Sequence, residues 1–221
     1  MLAPKAIDNI LVPISIPVPS YLSNHLSSNL MSWIKIIDHE DSTDQLKKLY
    51  DQVKNSSGSI DNIVKVHSLR PHTLEGHLSL YRNVLHHSSN TLPKWYLETI
   101  GVYVSHLNKC SYCVDHHSVG LRKLVDANKA DEILKAIEEN NLSSVFSGAQ
   151  VAGLRYAEKL TFTPAQVNES DVMSIRDSGF SDGEVLELNQ VASYFNYVNR
   201  TVLGLGVTTK GDKLGLSPNI P

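Results

Sequence analysis

From residue 42 onward, apolar positions recur at three- and four-residue intervals, the period of an amphipathic helix, while the strict alternation of a half-buried strand is scarce. Leu46, Leu49, Tyr50 and Val53 form the first stripe; Ser42-Thr43-Asp44-Gln45 before it reads as a capping box, and Asn55-Ser56-Ser57-Gly58 ends it. A second stripe runs through Leu74, Leu78, Tyr81 and Leu85, with Pro71 in its first turn and Ser88-Ser89-Asn90 closing it. Thr91 stands where it would cap the next helix, which has Pro93 near its start and continues through Trp95, Glu98, Val102 and His106. That helix is expected to break near Asn108-Lys109 and to be followed by another from about Cys110 to Leu124. Further helices are predicted over 129–139, 147–161, 170–178 and 182–203, the last opened by Ser181-Asp182-Gly183-Glu184 and closed by Gly204. No internal repeat is visible, and the pattern predicts an all-α protein.

The first 41 residues have another texture. Prolines at positions 4, 13, 17 and 19 interrupt an apolar stretch, a serine- and asparagine-rich run follows, and Trp33-Ile34-Lys35-Ile36-Ile37 closes the segment. Proline fixes φ and lacks a backbone donor, so an extended arm is expected over 1–41, packing on a neighbouring subunit. The helical domain is expected over 42–210, with a tail at 211–221. The opening lacks the basic start and unbroken apolar core of a signal peptide. No later stretch approaches the roughly 20 apolar residues that would span a bilayer. A soluble, cytoplasmic protein is expected.

At 221 residues the chain can bury a substantial core without a staple. Its formal charge of -3, from 20 basic and 23 acidic residues with no long run of either sign, gives no footprint for nucleic acid or an anionic membrane. A small or neutral partner fits better.

The two cysteines stand three apart as Cys110-Ser111-Tyr112-Cys113, which is not the framework of a disulfide-stabilised secreted protein. On a helix, His117 lies one turn beyond Cys113 and shares its face. A cysteine attacks peroxide only as thiolate, and a neighbouring imidazole and a helix start both favour that form over a free thiol with a pKa of about 8.5. Cys110, one turn away, could condense with a sulfenic acid on the attacking sulfur and prevent over-oxidation. If the two helices fold back on each other, Glu98 reaches His117 and Cys110 as a proton acceptor and donor.

Competing readings accompany this one. The pair could instead belong to a non-catalytic module that senses oxidants stoichiometrically or holds zinc through Cys110, Cys113 and His117, although structural zinc usually draws on two separated pairs. A thioredoxin-like site needs the pair at a strand-to-helix junction, and here helices flank it. His25, His39, His67, His72 and His77 have no spacing that marks a site, and His86-His87 belong to a helix end. His116 could take the place of His117 if the helix were rotated. The aromatic residues of Tyr194–Arg200 suggest packing, with Phe195 and Tyr197 assigned to a subunit interface.

Glu98, eleven residues, Cys110-x-x-Cys113, three residues and His117 together resemble the signature of the AhpD-like alkylhydroperoxidases, within the carboxymuconolactone decarboxylase superfamily. Ser68-Leu69-Arg70-Pro71 and the run from Tyr194 to Val207 resemble its longer peroxidase-related branch, and the likeness spans about residues 42–210. It implies an all-helical AhpD-like fold that forms homo-oligomers, with no cofactor and no metal. The implied reaction reduces a small organic hydroperoxide, with an external dithiol or redox protein as reductant. Cys113 would be the attacking thiolate, Cys110 the resolving, reductant-facing thiol, and Glu98 with His117 the proton relay. Some members carry histidine between the cysteines, where this chain has Ser111 and Tyr112. The superfamily also implies an alternative, a decarboxylase-like lyase acting on lactones, which needs no cysteine pair.

Overall fold

The computed structural model describes residues 31–55 and 57–215. The first 30 residues of the predicted arm, and with them its expected subunit contact, lie outside the described residues. Among those described, the chain forms nine α-helices and no strand. They are α1 (Asp44–Val53), α2 (Asn62–Lys65), α3 (Pro71–Tyr81), α4 (Lys94–Leu107), α5 (Ser111–Arg122), α6 (Ala127–Glu138), α7 (Gly148–Phe162), α8 (Glu169–Asp177) and α9 (Asp182–Leu205). A short π-helical segment, Arg82–His86, prolongs α3. None of the helices is long and apolar enough to cross a membrane.

The longest helix shows why its ends fall where they do. Ser181 and Glu184 form a reciprocal capping box that satisfies first-turn donors of α9. At the far end Gly206, not Gly204, adopts the left-handed conformation (φ 61°). The Val207 amide then reaches back to the Val202 carbonyl at 3.0 Å, closing a Schellman turn. The same serine-and-threonine logic fails at α1. Thr43 is the N-cap but makes no side-chain capping bond, and the hydroxyl of the preceding Ser42 donates away from the helix, to the His39 carbonyl at 2.6 Å. Thr91 does not cap α4 either, since Pro93 precedes its first turn and Thr91 donates through N and Oγ to the Glu187 carboxylate on α9.

Helix α4 is the axle of the fold. It packs on α5, α6, α7 and α9, and every residue from Tyr96 to Ser105 is buried. Leu97, Ile100, Val102 and Val104 are wholly removed from solvent, each contributing about 1.5–3 kcal/mol by leaving water. Phe195 belongs to this core rather than to a subunit interface: it is fully buried in the chain's own interior, where Gly101 leaves room for its ring. Tyr197 is 44% exposed. A second cluster joins Leu46, Leu49 and Tyr50 of α1 to Val64 of α2 and Leu74 and Leu78 of α3.

Residues 31–41 contain no helix and are pinned to the helical body by hydrogen bonds. Trp33 N donates to the Leu205 carbonyl at 2.8 Å, Thr208 N to the Met31 carbonyl at 3.1 Å, and Tyr50 Oη to the Ile37 carbonyl at 2.8 Å. The stretch after α9 therefore returns across the molecule and delivers residues 208–215 to the region of α2 and α5.

Candidate functional site

The break between α4 and α5 places the chemistry. Asn108 ends α4, Lys109 takes a left-handed backbone (φ 58°), and the Cys110 amide returns to the Ser105 carbonyl at 2.9 Å. This single reversal folds α5 back along α4. Cys110 becomes the N-cap of α5, beside its first-turn amides, and Cys113 lies one turn in. The two thiols are free, buried, and 3.1 Å apart at sulfur.

The same reversal brings Glu98 against α5. Its Oε2 lies 2.7 Å from His117 Nδ1, with both side chains largely out of solvent. Gly120 supplies the space: a Cβ there would stand 3.1 Å from Glu98 Oε1. The edge of the His117 ring meets Phe195 with centroids 4.7 Å apart, which fixes the plane of the imidazole. The four residues singled out by spacing thus occupy one region as two adjacent pairs.

Electrostatics divide the cysteines. A hydrogen bond from the Cys113 thiol favours the thiolate of Cys110, whose pKa is held below its ordinary value despite burial. The pKa of Cys113 is pushed well up, first by that shared proton and then by burial and the neighbouring negative charge. Of the two, Cys110 at the helix start therefore gives up its proton more readily than Cys113. Accessibility runs the other way: Cys113 borders a cavity and Cys110 does not.

That cavity is small, about 50 Å³, and opens to solvent. Its apolar wall comes from Ile63, Val64, Leu78 and Val198, and its aromatic wall from Tyr81, Tyr112 and Tyr194. The polar lining is Cys113, His116, His117, His77 and Asp61. Such a space, mostly apolar with a few convergent polar groups, is the usual form of a small-molecule site.

His116 does not stand in for His117. It stacks on Tyr112 (centroids 4.6 Å apart) and its Nε2 lies 3.2 Å from Asp212 Oδ2, so it belongs to a second imidazole-carboxylate pair. Asp212 also accepts from the Tyr112 hydroxyl at 2.7 Å and from the Asn62 amide at 3.1 Å. Asn62 Nδ2 in turn donates to the carbonyls of Thr208 and Lys210, holding the returning segment in place. Spacing gave no sign of Asp61, His77 or Asp212; each reaches the site from a distant part of the chain.

Among the described residues, no three His, Cys, Asp or Glu side chains converge as ligands of one ion.

Compared with protein-family models and with curated proteins, the sequence matches none. Compared with solved structures, the chain is similar to the alkylhydroperoxidase AhpD core of an uncharacterized peroxidase-related protein from Ralstonia eutropha JMP134. The TM-score is 0.72 at 22% identity, covering 87% of this chain and 100% of that one. An uncharacterized peroxidase-related protein from Silicibacter sp. TM1040 matches with a TM-score of 0.69 at 23% identity, covering 80% of this chain and 91% of that one. The debrominase Bmp8 matches with a TM-score of 0.63 at 18% identity, covering 81% of this chain and 91% of that one. A cysteine-to-alanine variant of that debrominase is solved in complex with 2,3,4-tribromopyrrole. The fold is therefore the all-α AhpD-like fold, shared with peroxidase-related proteins.

Proposed function

We propose that the chain is a thiol-dependent peroxidase that reduces small organic hydroperoxides through Cys110 and Cys113, with Glu98 and His117 moving the proton. One observation carries the reading. A cysteine pair 3.1 Å apart at a helix start presents one sulfur, Cys113, to a cavity that also contains an imidazole bonded to a buried carboxylate.

The Cys113 proton leaves, with His117 as acceptor and Glu98 steadying the imidazolium. The Cys113 thiolate then attacks a peroxide oxygen: an S–O bond forms, the O–O bond breaks, sulfur is oxidised, and the departing alkoxide takes a proton to become the alcohol. Cys110 next attacks the sulfenic sulfur: the S–S bond forms, the S–O bond breaks, and the departing hydroxide takes up the Cys110 proton and leaves as water. An external dithiol restores both thiols by exchange.

The test is a thiol count on reduced protein before and after a slight excess of an organic hydroperoxide, in parallel with Cys113→Ser. Rapid loss of both thiols in the parent and not in the variant is expected. Turnover retained in Cys113→Ser would refute the reading.

A second reading, reductive dehalogenation of a haloaromatic, is favoured by the aromatic wall of the cavity together with the likeness to a debrominase. There the two thiols would supply two electrons, giving the hydrogen-bearing arene, halide, a proton and the disulfide. Halide release from a bromopyrrole, with no thiol loss to peroxide, would select it.

A further inference from the structure

Asp61 holds the N-cap position of α2, where aspartate ordinarily accepts from a first-turn amide, yet it makes no such bond. Those amides are already taken: Asn62 N donates to the Asp212 carboxylate at 3.1 Å and Ile63 N to the Tyr112 hydroxyl at 3.0 Å. The displaced Asp61 carboxylate borders the cavity beside Cys113, only 8% exposed and without a hydrogen bond or ion pair among the described residues. His77, on α3, borders the same cavity at 6% exposure, and its buried Nδ1 has no partner. Buried polar groups in folded proteins are almost always satisfied, so the orphaned His77 Nδ1, on the same cavity as a carboxylate with no protein partner, points to a ligand as the missing partner.

We propose that Asp61, with His77 elsewhere on the same cavity lining, determines the class of substrate. The cavity accepts neutral molecules whose apolar body lies against Tyr81 and Tyr194 and which offer an O–H or N–H donor to the Asp61 carboxylate. It turns away molecules that carry a carboxylate of their own. This rests on the peroxidase reading for the reaction performed, but the selectivity belongs to the cavity and can be measured without it.

The surroundings agree in sign. Burial raises the Asp61 pKa to about 6, opposed by His116 and His117 of α5 and reinforced by Asp212. Burial, and after it the His67 ring stacked 4.8 Å away between centroids, keeps His77 uncharged, its pKa lowered to about 3. At neutral pH this lining therefore presents a carboxylate and a neutral imidazole, a combination that receives hydrogen-bond donors and repels anions.

Alkylation of Cys113 in the reduced protein provides the test, with modification located by mass spectrometry. Iodoacetamide is a neutral reagent with an N–H donor; iodoacetate is an anion of nearly the same size. The ratio of the iodoacetate to the iodoacetamide rate is compared in the parent, Asp61→Asn and Asp61→Glu. Asp61→Asn is expected to raise this ratio about tenfold at about pH 7.5, the effect of removing one partly shielded like charge nearby. Asp61→Glu should stay close to the parent. The gap should shrink toward about pH 5, where Asp61 takes up its proton. A ratio in Asp61→Asn equal to that of the parent, or an Asp61→Glu ratio equal to that of Asp61→Asn, would overturn the proposal. Alkylation uses no peroxide, so failure of the peroxidase reading would show separately, as thiols unchanged by hydroperoxide.

Discussion

The hydroxyl of Tyr112, enclosed between the two cysteines, lies 2.7 Å from Oδ2 of Asp212, a residue 100 positions further along the chain. The same oxygen receives the Ile63 amide at 3.0 Å, and burial with the adjacent carboxylate keeps the phenol protonated far above the ordinary tyrosine range. One side chain thus ties α2, α5 and the returning C-terminal segment together. Tyr112→Phe would strand the Ile63 amide and remove a donor from Asp212. A loss of about 1–3 kcal/mol in urea unfolding is expected, and an unchanged midpoint would mean that the segment is held mainly through Asn62.

Glu98→Gln keeps the size of the side chain but removes the charge that faces His117 Nδ1 at 2.7 Å. Without a carboxylate the imidazolium loses its support, so thiol consumption by hydroperoxide should slow by about 10²-fold, the lower range for loss of a positioned proton-transfer group. Stopped-flow measurement under single-turnover conditions would report it, and a rate within twofold of the parent would remove Glu98 from the relay.

At Gly101 an added Cβ would overlap the Phe195 ring, whereas at Gly76, inside α3, it would meet nothing. Gly101→Ala should cost about 1–3 kcal/mol by overpacking. It should also slow the peroxide reaction, because Phe195 fixes the His117 ring. Gly76→Ala should instead stabilise by about 0.5–1 kcal/mol through helix propensity. Thermal unfolding of the two variants side by side distinguishes packing from propensity.

For Asp61 the linkage is that of a carboxyl whose folded pKa, about 6, exceeds its value of about 3.9 in the unfolded chain. Below the lower value both states are protonated and burial carries no charge penalty. As pH rises through the folded value the penalty becomes complete. Asp61→Asn should therefore match the parent near about pH 3.5 and exceed it in stability above about pH 6, by on the order of 2–3 kcal/mol. Urea midpoints across that range measure the difference, and a constant offset would show that Asp61 is not buried as a charge.

Much of the scaffold was legible because its helices follow apolar periods and local punctuation. Ser181 with Glu184 marked the start of α9, Pro71 the start of α3, and Asn108-Lys109 the reversal before Cys110. Where a distant group intervened, local rules gave way. Ser42 spends its hydroxyl on a preceding carbonyl, and Thr91 gives both donors to Glu187. Of two nearby glycines, only Gly206 takes the left-handed form, because the helix pairs its last carbonyls there rather than two residues earlier. Phe195 could not be told from an interface residue, since a stripe of aromatics reads the same whichever surface it meets. Glu98, Cys110, Cys113 and His117 were legible as a spacing on two consecutive helices. Asp61 and Asp212 were not, because they meet α5 through tertiary packing that leaves no period in the chain.

Cys110 is fully enclosed and Cys113 is 3% exposed. Chemistry shut away to this depth is slow to begin and slow to go astray. An oxidant that merely collides with the surface meets no sulfur, and a bulky thiol cannot seize a half-finished intermediate. The shape of the entrance, more than the reactivity of the pair, would then decide which molecules take part in either half of the cycle, and how often.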